Sequence, residues 1–215
     1  KSLPSEIFTK QYVLPDNSSA EKQRENLKKA VNLSINPYEK RLCYEKLANI
    51  YGGIQYDDYK KYDTLDGNKS IEYYEKAYKK GVTSVGCDWA SLANLYLLKG
   101  DYNKVIEIED TVLPKSRWFT LQVYILRDEY QKALDLINSE NKTDWISLLL
   151  KADLLRKVGD DINAKTICED VEKKYESMLT GSQDFDERII ERYNNHKSVE
   201  AFKEYINNQS KNKRY

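Results

Sequence analysis

Residues 89–105 read Trp-Ala-Ser-Leu-Ala-Asn-Leu-Tyr-Leu-Leu-Lys-Gly-Asp-Tyr-Asn-Lys-Val. Trp89, Leu92, Ala93 and Tyr96 fall at i, i+3, i+4 and i+7, the spacing of one helical face. Gly100-Asp101-Tyr102 then turns the chain. Val105, Ile106, Ile108 and Val112 line a return helix, which Pro114 closes. The stretch predicts two helices that fold back on each other around a glycine turn.

The same grammar recurs on both sides. Trp118, Leu121 and Ile125 precede an Asp128-Glu129-Tyr130 turn, one residue shorter than the others, and Ala133, Leu134 and Ile137 follow. Trp145, Leu148, Ala152 and Leu155 precede Gly159-Asp160, then come Ala164, Cys168 and Val171. Upstream, Pro37 suits a first helical position, Leu47, Ala48 and Tyr51 follow, and Gly52-Gly53 ends the helix. Residues 54–67 read as a Tyr- and Asp-rich loop closed by an Asp66-Gly67 turn. A helix over 68–80 then presents Ile71, Tyr74, Ala77 and Tyr78, with Gly81 as its C-terminal cap. Ser18 and Ser19 are N-caps for an earlier helix with Leu27, Ala30, Val31 and Leu33 on its apolar face, which stops near Asn36-Pro37. Residues 1–17 form an extended arm. A last pair of helices spans about residues 185–206, with Ile189 to Tyr193 and Val199 to Ile206 as its apolar segments, and the polar tail 207–215 is frayed.

Composition agrees with this reading. The 215 residues hold only 8 Gly and 4 Pro, against about 26 expected from average usage. Few tight turns are available, which disfavours loop-dense β architectures and favours long helices. Lys and Arg total 35 and so do Asp and Glu, giving a net charge of zero. That argues against a nucleic-acid protein working by bulk electrostatics. No run approaches the roughly 18 apolar residues of a membrane span. Cys43, Cys87 and Cys168 are odd in number and far apart, so they read as reduced thiols, with neither disulfide nor metal-ligand spacing.

Ser70, Val105, Ala133 and Ala164, the small or β-branched residues that open the packed face of each return helix, are spaced by 35, 28 and 31 residues. A helix–turn–helix period of that size means a solenoid. On the pattern Trp89-x2-Leu92-Ala93-x2-Tyr96-x3-Gly100-Asp101-Tyr102-x2-Val105 the chain resembles the tetratricopeptide-repeat (TPR) family. The Tyr-Tyr-Glu-Lys-Ala-Tyr-Lys-Lys-Gly stretch at residues 73–81, after an insertion of about ten residues, is similar to the related Sel1-like repeats. The resemblance covers residues 37–172. It implies an all-α, right-handed α-α superhelix of about four to five repeats, at residues 37–81, 87–114, 116–140 and 144–175, within a single domain over 18–206. Small residues such as Ala48, Ala93 and Ala152 let helices approach to about 8–10 Å.

Catalytic constellations are weak. His196 is the one histidine and sits in an Asn-rich turn, without partners for a Ser-His-Asp set. Glu107, Glu109 and Asp110 do not converge as a carboxylate pair and read as a solvated helix face. Asp57-Asp58 and Asp63-x2-Asp66 lack the alternating ligands of a calcium loop. Gly81-x4-Gly86 is followed by Cys87-Asp88 and is no phosphate loop. No cofactor, metal site or enzymatic activity is expected.

In the resembled family, ligand contacts come from fixed slots of the first helix of each unit. Carried over, these are Glu45, Asn49, Ala90, Asn94, Leu97, Phe119, Val123, Leu126, Leu149, Asp153 and Arg156. Asn49 and Asn94 can donate to and accept from a bound backbone. The carboxylate-gripping variant is disfavoured, because its basic slots hold Glu45, Ser91, Ser116 and Thr120. Tyr56, Tyr59 and Tyr62 either pack the insertion onto the solenoid or form an aromatic patch for a partner. The expectation is a non-enzymatic interaction module, scaffold or adaptor that binds a protein or peptide in a concave groove. The alternative is an inhibitor or immunity-type protein that blocks a toxin or enzyme by occlusion. Localisation stays open between the cytoplasm and an exported or tethered protein trimmed of an anchor ahead of Lys1.

Overall fold

The computed structural model describes residues 19–52, 65–80, 89–112, 117–140, 144–179 and 198–212. Among these it holds ten α-helices and no strand. They are α1 (Ala20–Leu33), α2 (Pro37–Gly52), α3 (Gly67–Tyr78), α4 (Trp89–Lys99), α5 (Tyr102–Val112), α6 (Trp118–Leu126), α7 (Tyr130–Ser139), α8 (Trp145–Lys157), α9 (Asp161–Leu179) and α10 (Val199–Asn212). The chain divides into two compact units, Lys1–Asp101 with Ser210–Tyr215, and Tyr102–Gln209. The arm, the insertion with Tyr56, Tyr59 and Tyr62, the Gly81 cap, Cys87, Pro114, the expected helix with Ile189 to Tyr193, and His196 lie outside the described residues.

Helix starts follow local chemistry. Ser19 caps α1, its Oγ accepting the Lys22 N–H at 3.4 Å, and Glu21 sits in the first turn. Asp144 caps α8 through the Ser147 N–H at 3.0 Å. At Asp66-Gly67 the expected turn is instead a helix start. The Asp66 carboxylate accepts the Lys69 N–H at 3.0 Å, and Gly67 is the first residue of α3. Asp serves both turns and N-caps because its short carboxylate reaches a backbone N–H two or three residues on, so the two readings share one signal.

Three helix ends share one geometry. Gly100 has φ +87°, Asp128 +61° and Gly159 +88°. The N–H of the next residue bonds back to the carbonyl five positions earlier: Asp101 to Tyr96, Glu129 to Tyr124 and Asp160 to Leu155, each at 2.9 Å. The left-handed residue donates to the carbonyl three positions earlier, at 3.1, 3.2 and 3.1 Å respectively. This is the paired bonding of a Schellman end. Two of the sites use glycine. At the third Asp128 takes the conformation, which Asp tolerates better than most residues. The turn expected to be one residue shorter has the length of the other two, the next helix starting two residues on in each case.

The first unit is built on α1, α2 and α3, with α4 packed on α3. Leu27, Ala30, Cys43, Leu47, Ile50 and Tyr51 form its core, with Ala20, Val31, Tyr44 and Tyr73 packed against them. Leu33 departs from the expected apolar face and is 58% exposed, because α1 ends there and the chain turns away. Ser70 is fully buried and its Oγ donates to the Ala48 carbonyl at 2.8 Å. A hydroxyl at this small-residue slot closes the approach of α3 to α2 with a hydrogen bond.

In the second unit each helix from α5 to α9 packs on the next. Val105, Ala133, Ala152 and Ala164 are completely buried, as the small-residue spacing predicts. The tail is ordered further than expected. The α10 helix runs to Asn212 and buries Val199, Phe202 and Ile206. An amphipathic helix held by three such residues carries its polar last turns along.

Nothing lies within 4 Å of a Cβ built on Gly159, so only its backbone conformation resists a side chain. Gly159→Ala should lower unfolding free energy by about 1–2 kcal/mol, read from urea denaturation, with the circular dichroism spectrum unchanged.

Candidate functional site

The residues carried over from the repeat resemblance fall five in the first unit and six in the second. In the first, Leu97 is only 1% exposed and belongs to the core, so it offers no surface to a partner. Glu45 is ion-paired to Arg41, Oε1 to Nε 2.8 Å, with both side chains largely buried. The Asn49 Oδ1 accepts from the Tyr74 hydroxyl. Ala90 and Asn94 are half-buried.

In the second unit Val123 is completely buried and is likewise core. Both exceptions have one cause. These helices are short and apolar on more than one side, and inward and outward slots cannot be told apart from hydrophobicity alone. Phe119, Leu126 and Leu149 are half-buried. The Asp153 Oδ2 accepts the Val199 N–H at 2.9 Å and so anchors the start of α10. Arg156 lies 3.8 Å from Asp153 and 3.1 Å from the Cys168 sulfur.

Glu109 overturns the expected solvated carboxylate face. It is 1% exposed. Its Oε1 accepts the Phe119 N–H at 3.0 Å, and its Oε2 accepts the Thr120 N–H at 2.7 Å and the Thr120 hydroxyl at 2.6 Å. Arg117, which precedes α6, provides no side-chain cap. A glutamate from α5 therefore caps α6, and the positive end of the helix compensates its buried charge. Thr120, one of the slots a carboxylate grip would need, is consumed in this contact. Glu109→Ala should cost about 1–3 kcal/mol through the orphaned donors, measured by thermal or urea unfolding.

A polar network fastens α10 within the second unit. Lys203 bonds Asp128 and lies 3.2 Å from the Tyr130 hydroxyl, and Lys157 pairs with Glu200. The Lys203 and Lys157 ammonium groups lie 5.4 and 6.0 Å from the Tyr130 ring centroid. The bond from Lys157 holds the Glu200 carboxyl below its ordinary 4.5. Bonds from Lys203 and Tyr130 do the same for Asp128. Depressed carboxylates contribute stability that is present above their unfolded pKa and lost as pH falls through the folded one. Glu200→Gln should therefore melt below wild type near neutral pH. The gap in Tm should close as pH drops below Glu200's depressed pKa.

The first unit contains a cleft of about 680 Å³ lined by Glu21, Arg24, Glu25 and Lys28 of α1, Tyr51 of α2, and Leu65, Asp66 and Lys69. The four α1 residues recur at spacings of three and four and so form one wall. Tyr51 is the floor, 7% exposed, stacked on Tyr73 with centroids 5.5 Å apart. The sequence marked Tyr51 only as a packing residue and Asp66 only as a turn residue, and did not flag the charged residues of α1, because charged positions on a helix usually mark a solvated face.

At the other end of α1, the α1–α2 turn is inverted relative to an ordinary surface turn. Ser34 is 5% exposed and Glu39 8%, and the Ser34 Oγ donates to Glu39 Oε2 at 2.7 Å. The Asn36 N–H bonds Ser34 Oγ, and the Tyr38 N–H bonds Asn36 Oδ1 at 3.0 Å. Leu33, Ile35, Tyr38 and Leu42 point outward, Ile35 being 74% exposed.

Cys43 and Cys168 are free thiols, and burial pushes the Cys43 pKa up to about 11. Among the described residues no three His, Cys, Asp or Glu side chains form a metal-holding group. No described helix is long and apolar enough to cross a membrane. Compared with family models, curated proteins and solved structures, the chain matches none.

Proposed function

We propose that this chain is a non-catalytic helical-repeat protein, a TPR- or Sel1-like solenoid, that binds another polypeptide. The repeat reading draws support from one turn geometry recurring at Gly100, Asp128 and Gly159. It also draws on the buried small residues at matching slots. The binding reading is carried by the inverted α1–α2 turn.

A surface turn ordinarily places polar groups outward. Here a serine and a glutamate face in and bond each other, while Leu33, Ile35, Leu42 and Tyr38 face water. The inward bonds fix the backbone, so the outward residues are presented without an ordering cost at binding. Contiguous exposed apolar side chains with polar surroundings mark protein contact sites, and tyrosine is favoured at such contacts. A polypeptide with a complementary apolar anchor fits this surface.

The test is affinity capture from the native lysate with wild type and with Leu33→Ser/Ile35→Ser, each first shown to melt at the same temperature. A protein retained stoichiometrically by wild type should bind the variant at least about tenfold more weakly, a loss of about 1.4 kcal/mol or more. Equal retention by both would remove the turn as the contact. Retention of nothing would remove the binding reading.

A further inference from the structure

The cleft of the first unit gathers charges of both signs. Its wall and rim hold three cations, Arg24, Lys28 and Lys69, and three carboxylates, Glu21, Glu25 and Asp66. The cations gather on the floor. The Arg24 guanidinium lies 5.1 Å from the Tyr51 ring centroid, the Lys69 ammonium 5.4 Å and the Lys28 ammonium 6.0 Å. Two helices thus bring three positive groups within about 6 Å of one aromatic ring, whose electron-rich faces attract cations. Asp66 is committed at the edge, with one oxygen on the Lys69 N–H and the other 3.2 Å from the Lys69 ammonium. Glu21 and Glu25 are exposed, one turn apart on α1, on the same wall as Arg24 and Lys28.

We propose that this cleft binds a ligand carrying both charges within a short span: a peptide with free ends, or one with neighbouring acidic and basic side chains. A simple anion would reach the cations over Tyr51 but meet Glu21 and Glu25. A simple cation would meet the three positive groups. An apolar ligand would strip water from six charges without replacing its hydrogen bonds. A bipolar ligand adds an opposite charge to each set, its anionic group beside Arg24 and Lys28 and its cationic group against Glu21 and Glu25. The volume, about 680 Å³, lies within the range of about 300–1,000 Å³ common to small-ligand sites. This site stands apart from the exposed α1–α2 turn, so either can fail without the other.

The test is isothermal titration of the full chain with four forms of tri-alanine: free at both ends, acetylated, amidated, and blocked at both ends. A fifth probe, acetyl-Lys-Ala-Glu-amide, carries both charges on side chains. At least one of the two bipolar probes should bind, and which one identifies whether chain ends or side chains are read. The singly charged forms should bind at least about tenfold more weakly. Arg24→Gln/Lys28→Gln and Glu21→Gln/Glu25→Gln, each checked for its native circular dichroism spectrum, should each lose the bipolar probe. If a variant fails to fold, wild-type affinity for the bipolar probe should still fall with added salt. Equal binding of an anionic or neutral form, salt-independent binding, or no binding of any probe at millimolar concentration would overturn the proposal.

Discussion

A residue in the left-handed conformation at the end of a helix is the constraint from which this architecture follows. At Gly100, Asp128 and Gly159 that residue lets two backbone N–H groups return to carbonyls of the helix just ended. The orphan carbonyls are satisfied, and the chain leaves in a defined direction within two residues. Within the second unit, after Asp128 and Gly159, the fixed exit brings the next helix to its neighbour at a set register. The residue that arrives at the contact is then the small one, Ala133 after Asp128 and Ala164 after Gly159. A larger side chain there would hold the helices apart. The turn and the small slot therefore act as one unit.

The interior tolerates charge where a helix end or a hydroxyl compensates it. Glu109 is buried because α6 offers two N–H groups and Thr120 a hydroxyl. Glu39 is buried beside Ser34. These contacts also decide what faces water. With Ser34 and Glu39 turned inward, Leu33, Ile35 and Tyr38 are left outside. Interior polarity and exposed apolar surface are two sides of one hydrogen-bonded turn. The cleft shows the complementary pattern, in which three cations converge on a buried tyrosine ring and carboxylates line the same cleft.

Much of the helical layout was legible in the chain. Ser19 and Pro37 marked helix starts, and Gly100 and Gly159 marked helix ends, because caps and left-handed positions depend on a few adjacent atoms. The buried alanines were legible from spacing. The candidate partner-contact residues were less so. Leu97 and Val123 sit on helices that are apolar nearly all round, so periodicity carried no outward signal. Glu109 looked solvated because its partners lie ten and eleven residues away on another helix. The end of α10 was misplaced because polar composition resembles a frayed tail, whereas the buried Val199, Phe202 and Ile206 hold the helix in place.

Among the described residues, the sequence by itself determined which segments are helical, where most of them begin and end, and which small residues lie at helix contacts. Each of these depends on interactions within one turn or on a strict residue period. The tertiary structure decided which charges are buried, which apolar residues stay exposed and which side chains share the Tyr51 cleft. Those outcomes depend on pairs such as Glu109 with Thr120 and Arg24 with Tyr51, whose distance in space is set by packing and leaves no local pattern along the chain.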